Sequence, residues 1–122
     1  MKNRPFHHRM GFAISGLAST LRTESSFRTQ VLAAIATGAV VLWLRPAPVW
    51  WAIIVLTITI VLAAELLNTA IERLADHLHP ERHPGIKSVK DCAAAAVFIA
   101  SLGALCVALA FILDLLGSNY PQ

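Results

Sequence analysis

Residues 46–76 read PAPVWWAIIVLTITIVLAAELLNTAIERLAD. Nineteen consecutive residues, Pro46 to Ala64, carry no charge, and about 20 apolar residues at about 1.5 Å each cross the ~30 Å hydrocarbon core of a bilayer. β-branched side chains are frequent here, yet a lone strand in lipid leaves its backbone groups unsatisfied and three strands cannot close a barrel, so the stretch reads as a helix. The helical pattern does not stop at the end of the apolar run. At about 100° per residue, Asn68, Glu72 and Asp76 fall within roughly 60° of Glu65, which gives four polar groups one stripe. Glu65 and Glu72 lie some 10 Å apart along such a helix, one in the membrane interface and the other nearer water.

Working outward, sixteen uncharged residues, Thr29 to Leu44, lie between Arg28 and Arg45, and twenty-two, Cys92 to Leu113, lie between Asp91 and Asp114. The first of these spans is short, but an arginine at each end can snorkel. Arg45-Pro46-Ala47-Pro48 forms a tight turn because proline disfavours helical geometry in the residue before it. Trp43, Trp50 and Trp51 flank that turn and read as an aromatic belt at one interface. Ahead of the spans, Met10, Ile14, Leu17 and Leu21 recur at helical spacing among Arg9, Ser15, Ser19 and Arg22, the pattern of an amphipathic helix lying on the membrane surface. The expected architecture is therefore an all-α membrane protein in a single domain. It has a surface helix over residues 6–24 and spans over 29–44, 48–76 with a cytoplasmic extension, and 88–114.

Composition agrees. Of 122 residues, 57% are hydrophobic and 14% charged, against roughly 45–50% and 25% in soluble domains. A chain this short and apolar could not hide its apolar surface inside a soluble globule, which excludes a soluble single-domain enzyme. The formal net charge is +3, but the basic residues form no dense run with interleaved aromatics, so no nucleic-acid partner is expected. Of the 10 lysines and arginines, five precede the first span (Lys2, Arg4, Arg9, Arg22, Arg28), four lie between the second and third (Arg73, Arg82, Lys87, Lys90), and only Arg45 lies in the turn. The positive-inside rule then puts the N-terminus and the long 65–91 segment in the cytoplasm. Six of the 7 acids, all but Asp114, fall on or near that side. Cys92 and Cys106 would sit about 21 Å apart along one helix, too far to bridge, and read as small buried hydrophobes. The first thirty residues lack the apolar core and small-residue cleavage site of a signal peptide.

A charge at membrane depth is costly and usually faces a protein interior or cavity, so Glu65 requires a reason. Glu24, before the first span, and Lys90 and Asp91, before the third, reach the same level, so that three helices bring Glu24, Glu65, Asn68, Glu72, Lys90 and Asp91 to the cytoplasmic border. Carboxylates hold a hard divalent cation while a lysine neutralises phosphate, and a carboxylate nearer the lipid can act as general base towards a lipid hydroxyl. That combination points to phosphoryl transfer between a water-soluble and a lipid substrate. No P-loop, glycine-rich phosphate cradle or HExxH sequence occurs. His77, His79 and His83 cluster where Pro80 and Pro84 break the helix, with no cysteine near, and read as loop residues rather than a zinc site. These residues alone leave open a small proton-coupled transporter that uses Glu65 as its carrier acid.

The string Glu65-Leu-Leu-Asn-Thr-Ala-Ile-Glu72, followed by Asp76 and by His83-Pro84-x-x-Lys87-x-x-Lys90-Asp91-x-Ala-Ala, resembles the small bacterial diacylglycerol kinase family, which includes the undecaprenol kinases. Arg22-Thr23-Glu24-Ser25-Ser26-Phe27 adds a third matching block, and the resemblance covers nearly all of the chain. It implies an ATP-dependent lipid kinase of the bacterial inner membrane, a homotrimer with active sites between subunits. It implies Glu65 as catalytic base, Asn68 as support for the reacting groups, and Glu24 and Glu72 as ligands of the Mg²⁺ that accompanies ATP. Lys90 and Asp91 are then nucleotide contacts, with Lys90 on the phosphates, and Glu81 and His83 belong to a further ATP-contacting stretch. Near the start, Phe12 stands where the family has an aromatic, and Arg4 and Arg9 compete for an arginine role. The Arg-Thr-Glu-x-x-Phe and Leu-Leu-Asn-Thr forms lean towards the undecaprenol kinases, which leaves diacylglycerol and undecaprenol both open as acceptor.

Overall fold

The computed structural model describes residues 2–118, which form four helices: α1 (Phe6–Thr23), α2 (Ser25–Leu44), α3 (Pro48–Leu78) and α4 (Pro84–Ser118). The last three are long and apolar enough to cross a membrane. At about 1.5 Å per residue, the 31 residues of α3 and the 35 of α4 run about 46 and 52 Å, well beyond the ~30 Å hydrocarbon core, so both project out of it. Counted from Pro48, Glu65 comes about 26 Å along the axis, near the far edge of that core.

The most extensive contact joins α3 to α4; α2 packs on α3, and α1 touches α2 and α3. Near the turn between α2 and α3, Val41, Ile54 and Phe111 form a buried cluster, with Trp50, Trp51 and Leu115 packed around it. The Trp50 and Phe111 rings meet edge-on, with centroids 5.1 Å apart, a favoured aromatic geometry. Trp50 Nε1 donates to Asp114 Oδ2 at 2.9 Å, so the one acid away from the other six joins α3 to α4. Trp43 instead is 83% exposed. Arg45 ends α2 in the left-handed region (φ 50°, ψ 59°), its N–H still bonded to the Val41 carbonyl. Pro46 bars that residue from continuing the helix. Within the spans, the hydroxyls of Thr37, Thr57 and Thr59 donate to the carbonyls of Ala33, Ile53 and Val55, four residues back. Each of these three hydroxyl protons thus has an acceptor within its own helix.

Three details differ from the sequence reading. His77, read as a loop residue, lies in the last turn of α3, which runs on to Leu78. Pro84 does not lie in a helix-free break but opens α4, at the first helical position where a missing N–H costs nothing. Cys92 and Cys106, expected to be buried, are both exposed on the protomer surface. The outer face of α4 is as apolar as its inner one, as Ile99, Leu102 and Leu105 on the same surface show, so periodicity could not tell the two faces apart.

At the opposite end from the tryptophans, Phe27 is 1% exposed and fixes the start of α2. Phe27→Ala is expected to lower the unfolding free energy by about 3 kcal/mol, measured by SDS titration of the detergent-solubilised protein.

Candidate active site

Glu65 is 4% exposed although it carries a carboxyl group. Its hydrogen bonds among the described residues come from one donor, Ser26 Oγ, 3.1 Å from each carboxylate oxygen. Ser26 is the second residue of α2, so the carboxylate lies against a helix N-terminus, whose partial positive charge favours an anion there. One turn along α3, Asn68 has a buried Oδ1 with no partner among the described residues. An orphaned buried acceptor is rare in folded proteins, and it leaves Asn68 able to receive a donor from a bound molecule.

Glu24 forms the break between α1 and α2, extended at φ −114° and ψ 109°. Its Oε1 lies 3.8 Å from Arg73 Nη2, and the same guanidinium nitrogen donates to Thr23 Oγ1. Arg73 follows Glu72 directly, so this pair brings Glu24 to the level of Glu72 on α3. Arg28 ties the break from the other side, donating from Nη1 to the Leu21 and Arg22 carbonyls at 2.9 and 3.0 Å. These two carbonyls end α1 and lack helical donors.

A second polar group surrounds the loop between α3 and α4. His83 Nδ1 accepts the Gly85 N–H at 3.0 Å and the His83 carbonyl accepts the Lys87 N–H at 2.9 Å, so His83 caps the N-terminus of α4 and carries its ring proton on Nε2. His79 Nδ1 donates to the Glu81 carbonyl at 3.0 Å. Lys90 pairs with Asp76 across α3 and α4, and Lys87 pairs with Asp91 at 2.7 Å within α4. The Lys87–Asp91 pair is largely exposed and the Lys90–Asp76 pair partly so, which keeps both weak, the second at about 1 kcal/mol, and leaves the lysines able to change partners. An open cavity of about 650 Å³ is lined by Glu81, Arg82, His83, Lys87 and Lys90 among others. Three cations against one carboxylate suit a polyphosphate.

Of the residues singled out in the sequence, the structure thus joins Glu81, His83 and Lys90 in one cavity. It places Glu65, Asn68 and Glu72 along α3, with Glu24 at their level through Arg73. Asp91 faces Lys87. Lys90 reaches Asp76, one turn beyond Glu72 on the same face of α3, so the two groups adjoin along that helix. Phe12 and Arg9 line a shallow pocket on α1, while Arg4 precedes that helix.

The profile of the prokaryotic diacylglycerol kinases matches residues 11–112. The chain belongs to that family. It is 35% identical over 90 residues to the diacylglycerol kinase of Pseudomonas aeruginosa, covering 74% of this chain and 73% of that one. To the undecaprenol kinase of Bacillus subtilis it is 38% identical over 84 residues, covering 69% and 68%. To the diacylglycerol kinase of Escherichia coli K12 it is 28% identical over 95 residues, covering 78% of each. The protein is therefore a membrane lipid kinase.

A kinase of this family implies magnesium with its nucleotide, and the donor set accommodates it. Mg²⁺ usually binds one or two protein carboxylates and takes its remaining ligands from phosphate and water. Glu24 and Glu72 are hard oxygen donors of that kind, and no cluster of three or more metal-ligating side chains occurs among the described residues. The partial set fits a metal carried by the nucleotide. Sequence reading missed Ser26, Arg28 and Arg73. Ser26 and Arg73 act across helices 39 to 50 residues apart in the chain, where no local spacing signals a contact.

Proposed function

We propose that the protein transfers the γ-phosphoryl group of ATP to the primary hydroxyl of a membrane lipid alcohol, diacylglycerol or undecaprenol. The observation that carries this reading is Glu65: a buried carboxylate at the membrane border whose described partner is a single hydroxyl. In the reaction Glu65 takes the proton from the lipid hydroxyl, the oxygen forms a bond to the γ-phosphorus, and the bond from that phosphorus to the β-bridging oxygen breaks, releasing ADP. Asn68, with its free Oδ1, orients the incoming alcohol or the nucleotide beside it. Glu24 and Glu72 would hold the magnesium, which would supply charge neutralisation on the phosphates. Lys90, Glu81, His83 and Asp91 hold the nucleotide, and Arg9, which lines a pocket with Phe12, is preferred to Arg4 for the N-terminal contact.

Three helices alone cannot enclose the polar border from lipid, which supports a homotrimer with active sites shared between subunits. α1 lies along the cytoplasmic membrane surface; Met10, Ile14, Leu17 and Leu21 on one side of it are exposed on the single protomer and available to lipid. The charge distribution supports a cytoplasmic N-terminus in the bacterial inner membrane. Relatives named for each acceptor, the diacylglycerol kinase of Pseudomonas aeruginosa and the undecaprenol kinase of Bacillus subtilis, make the acceptor a matter for direct assay. Kinase membership disfavours the proton-coupled transporter.

With γ-labelled ATP and each lipid supplied separately, label is expected in one or both lipid products. Glu65→Gln is expected to abolish that transfer while nucleotide binding survives; retained turnover would remove Glu65 from the role of base. Glu72→Gln is expected to keep the transfer but raise the Mg²⁺ concentration for half-maximal rate by about tenfold or more, read from a magnesium titration at fixed ATP.

A further inference from the structure

We propose that Ser26 is a positioning residue of the kinase reaction, its hydroxyl holding the Glu65 carboxylate in the orientation that receives the proton of the lipid alcohol. This rests on the reading of Glu65 as the base. The Ser26 hydroxyl has one proton and stands 3.1 Å from both carboxylate oxygens, so the proton is shared between them. A carboxylate accepts at about four lone-pair positions, which leaves the remainder open to the acceptor's O–H. As one oxygen takes the acceptor's proton, the Ser26 proton passes its hydrogen bond wholly to the other oxygen, where the negative charge remains. A shared donor thus holds the side chain in place through the transfer.

The anchor of that hydroxyl is rigid. Phe27, next in sequence, is 1% exposed, and Arg28 is bonded to two carbonyls at the end of α1. Ser26 itself is exposed. Its oxygen is not there to fill a core, and truncation to alanine leaves no buried void.

The test compares wild type, Ser26→Ala and Ser26→Thr in detergent–lipid micelles with MgATP and a lipid acceptor. Ser26→Ala should lower kcat by about tenfold or more while KM for MgATP stays within about twofold, and the lost hydrogen bond to a buried carboxylate should lower the melting temperature by only a few degrees. Ser26→Thr, which restores a hydroxyl, should recover most of the rate. In a Glu65→Asp background, whose shorter side chain withdraws from Ser26, adding Ser26→Ala should cost less than about twofold more, because residues acting as one unit are not additive. Wild-type kcat in Ser26→Ala overturns the inference, as does an equal loss in both backgrounds. A melting temperature lowered further, with turnover that threonine does not restore, assigns Ser26 a structural role instead. An inactive wild type overturns the lipid-kinase reading and the inference with it, whereas an active wild type beside a fully active Ser26→Ala overturns the inference alone.

Discussion

A carboxylate at the edge of the hydrocarbon core has to be surrounded by protein, and most of the cytoplasmic end of this molecule follows from how that is done for Glu65. An acid at mid-bilayer costs about 3 kcal/mol to insert. Here the cost is reduced by depth, since Glu65 lies towards the end of the apolar run. It is offset by the first turn of α2, which brings both a hydroxyl and the positive end of a helix to the carboxylate. That placement needs α2 to begin at one point, and three neighbours set it: Phe27 is buried, Arg28 holds the end of α1, and Glu24 is drawn to Arg73 on α3. The break at Glu24 is therefore part of the site.

The two ends of the bundle divide the work. At the tryptophan end, Arg45 and two prolines turn the chain, and Trp50, Phe111 and Asp114 lock α3 to α4 through ring packing and one hydrogen bond. At the other end α3 and α4 run on past the apolar core and carry polar side chains into water, where exposed ion pairs such as Lys90–Asp76 hold the lysines loosely. An apolar middle thus carries a polar end at the membrane border.

The uncharged runs made the three spanning helices legible, because a bilayer demands length and apolarity and little else. Glu65, Asn68 and Glu72 were legible for a related reason: helical spacing puts them on one stripe wherever α3 is packed. Ser26, Arg28 and Arg73 were not, since their partners lie on other helices and a serine or arginine near a membrane border has many ordinary explanations. Nor did the sequence show that His83 caps α4 with its ring nitrogen, a role more often taken by serine, threonine, asparagine or aspartate. The exposure of Cys92 and Cys106 was hidden because α4 is apolar on every side. Such a helix gives no sign of which face meets its neighbours.

The central claim is that Glu65 serves as base for direct attack of a lipid hydroxyl on ATP, with no group of the protein carrying the phosphoryl in between. The most direct measurement is the stereochemical course at phosphorus, using ATP made chiral at the γ-position with oxygen isotopes and sulfur. A single in-line displacement predicts inversion of configuration in the lipid phosphate. Retention would contradict the account, because it requires two displacements and hence a phosphorylated side chain as intermediate.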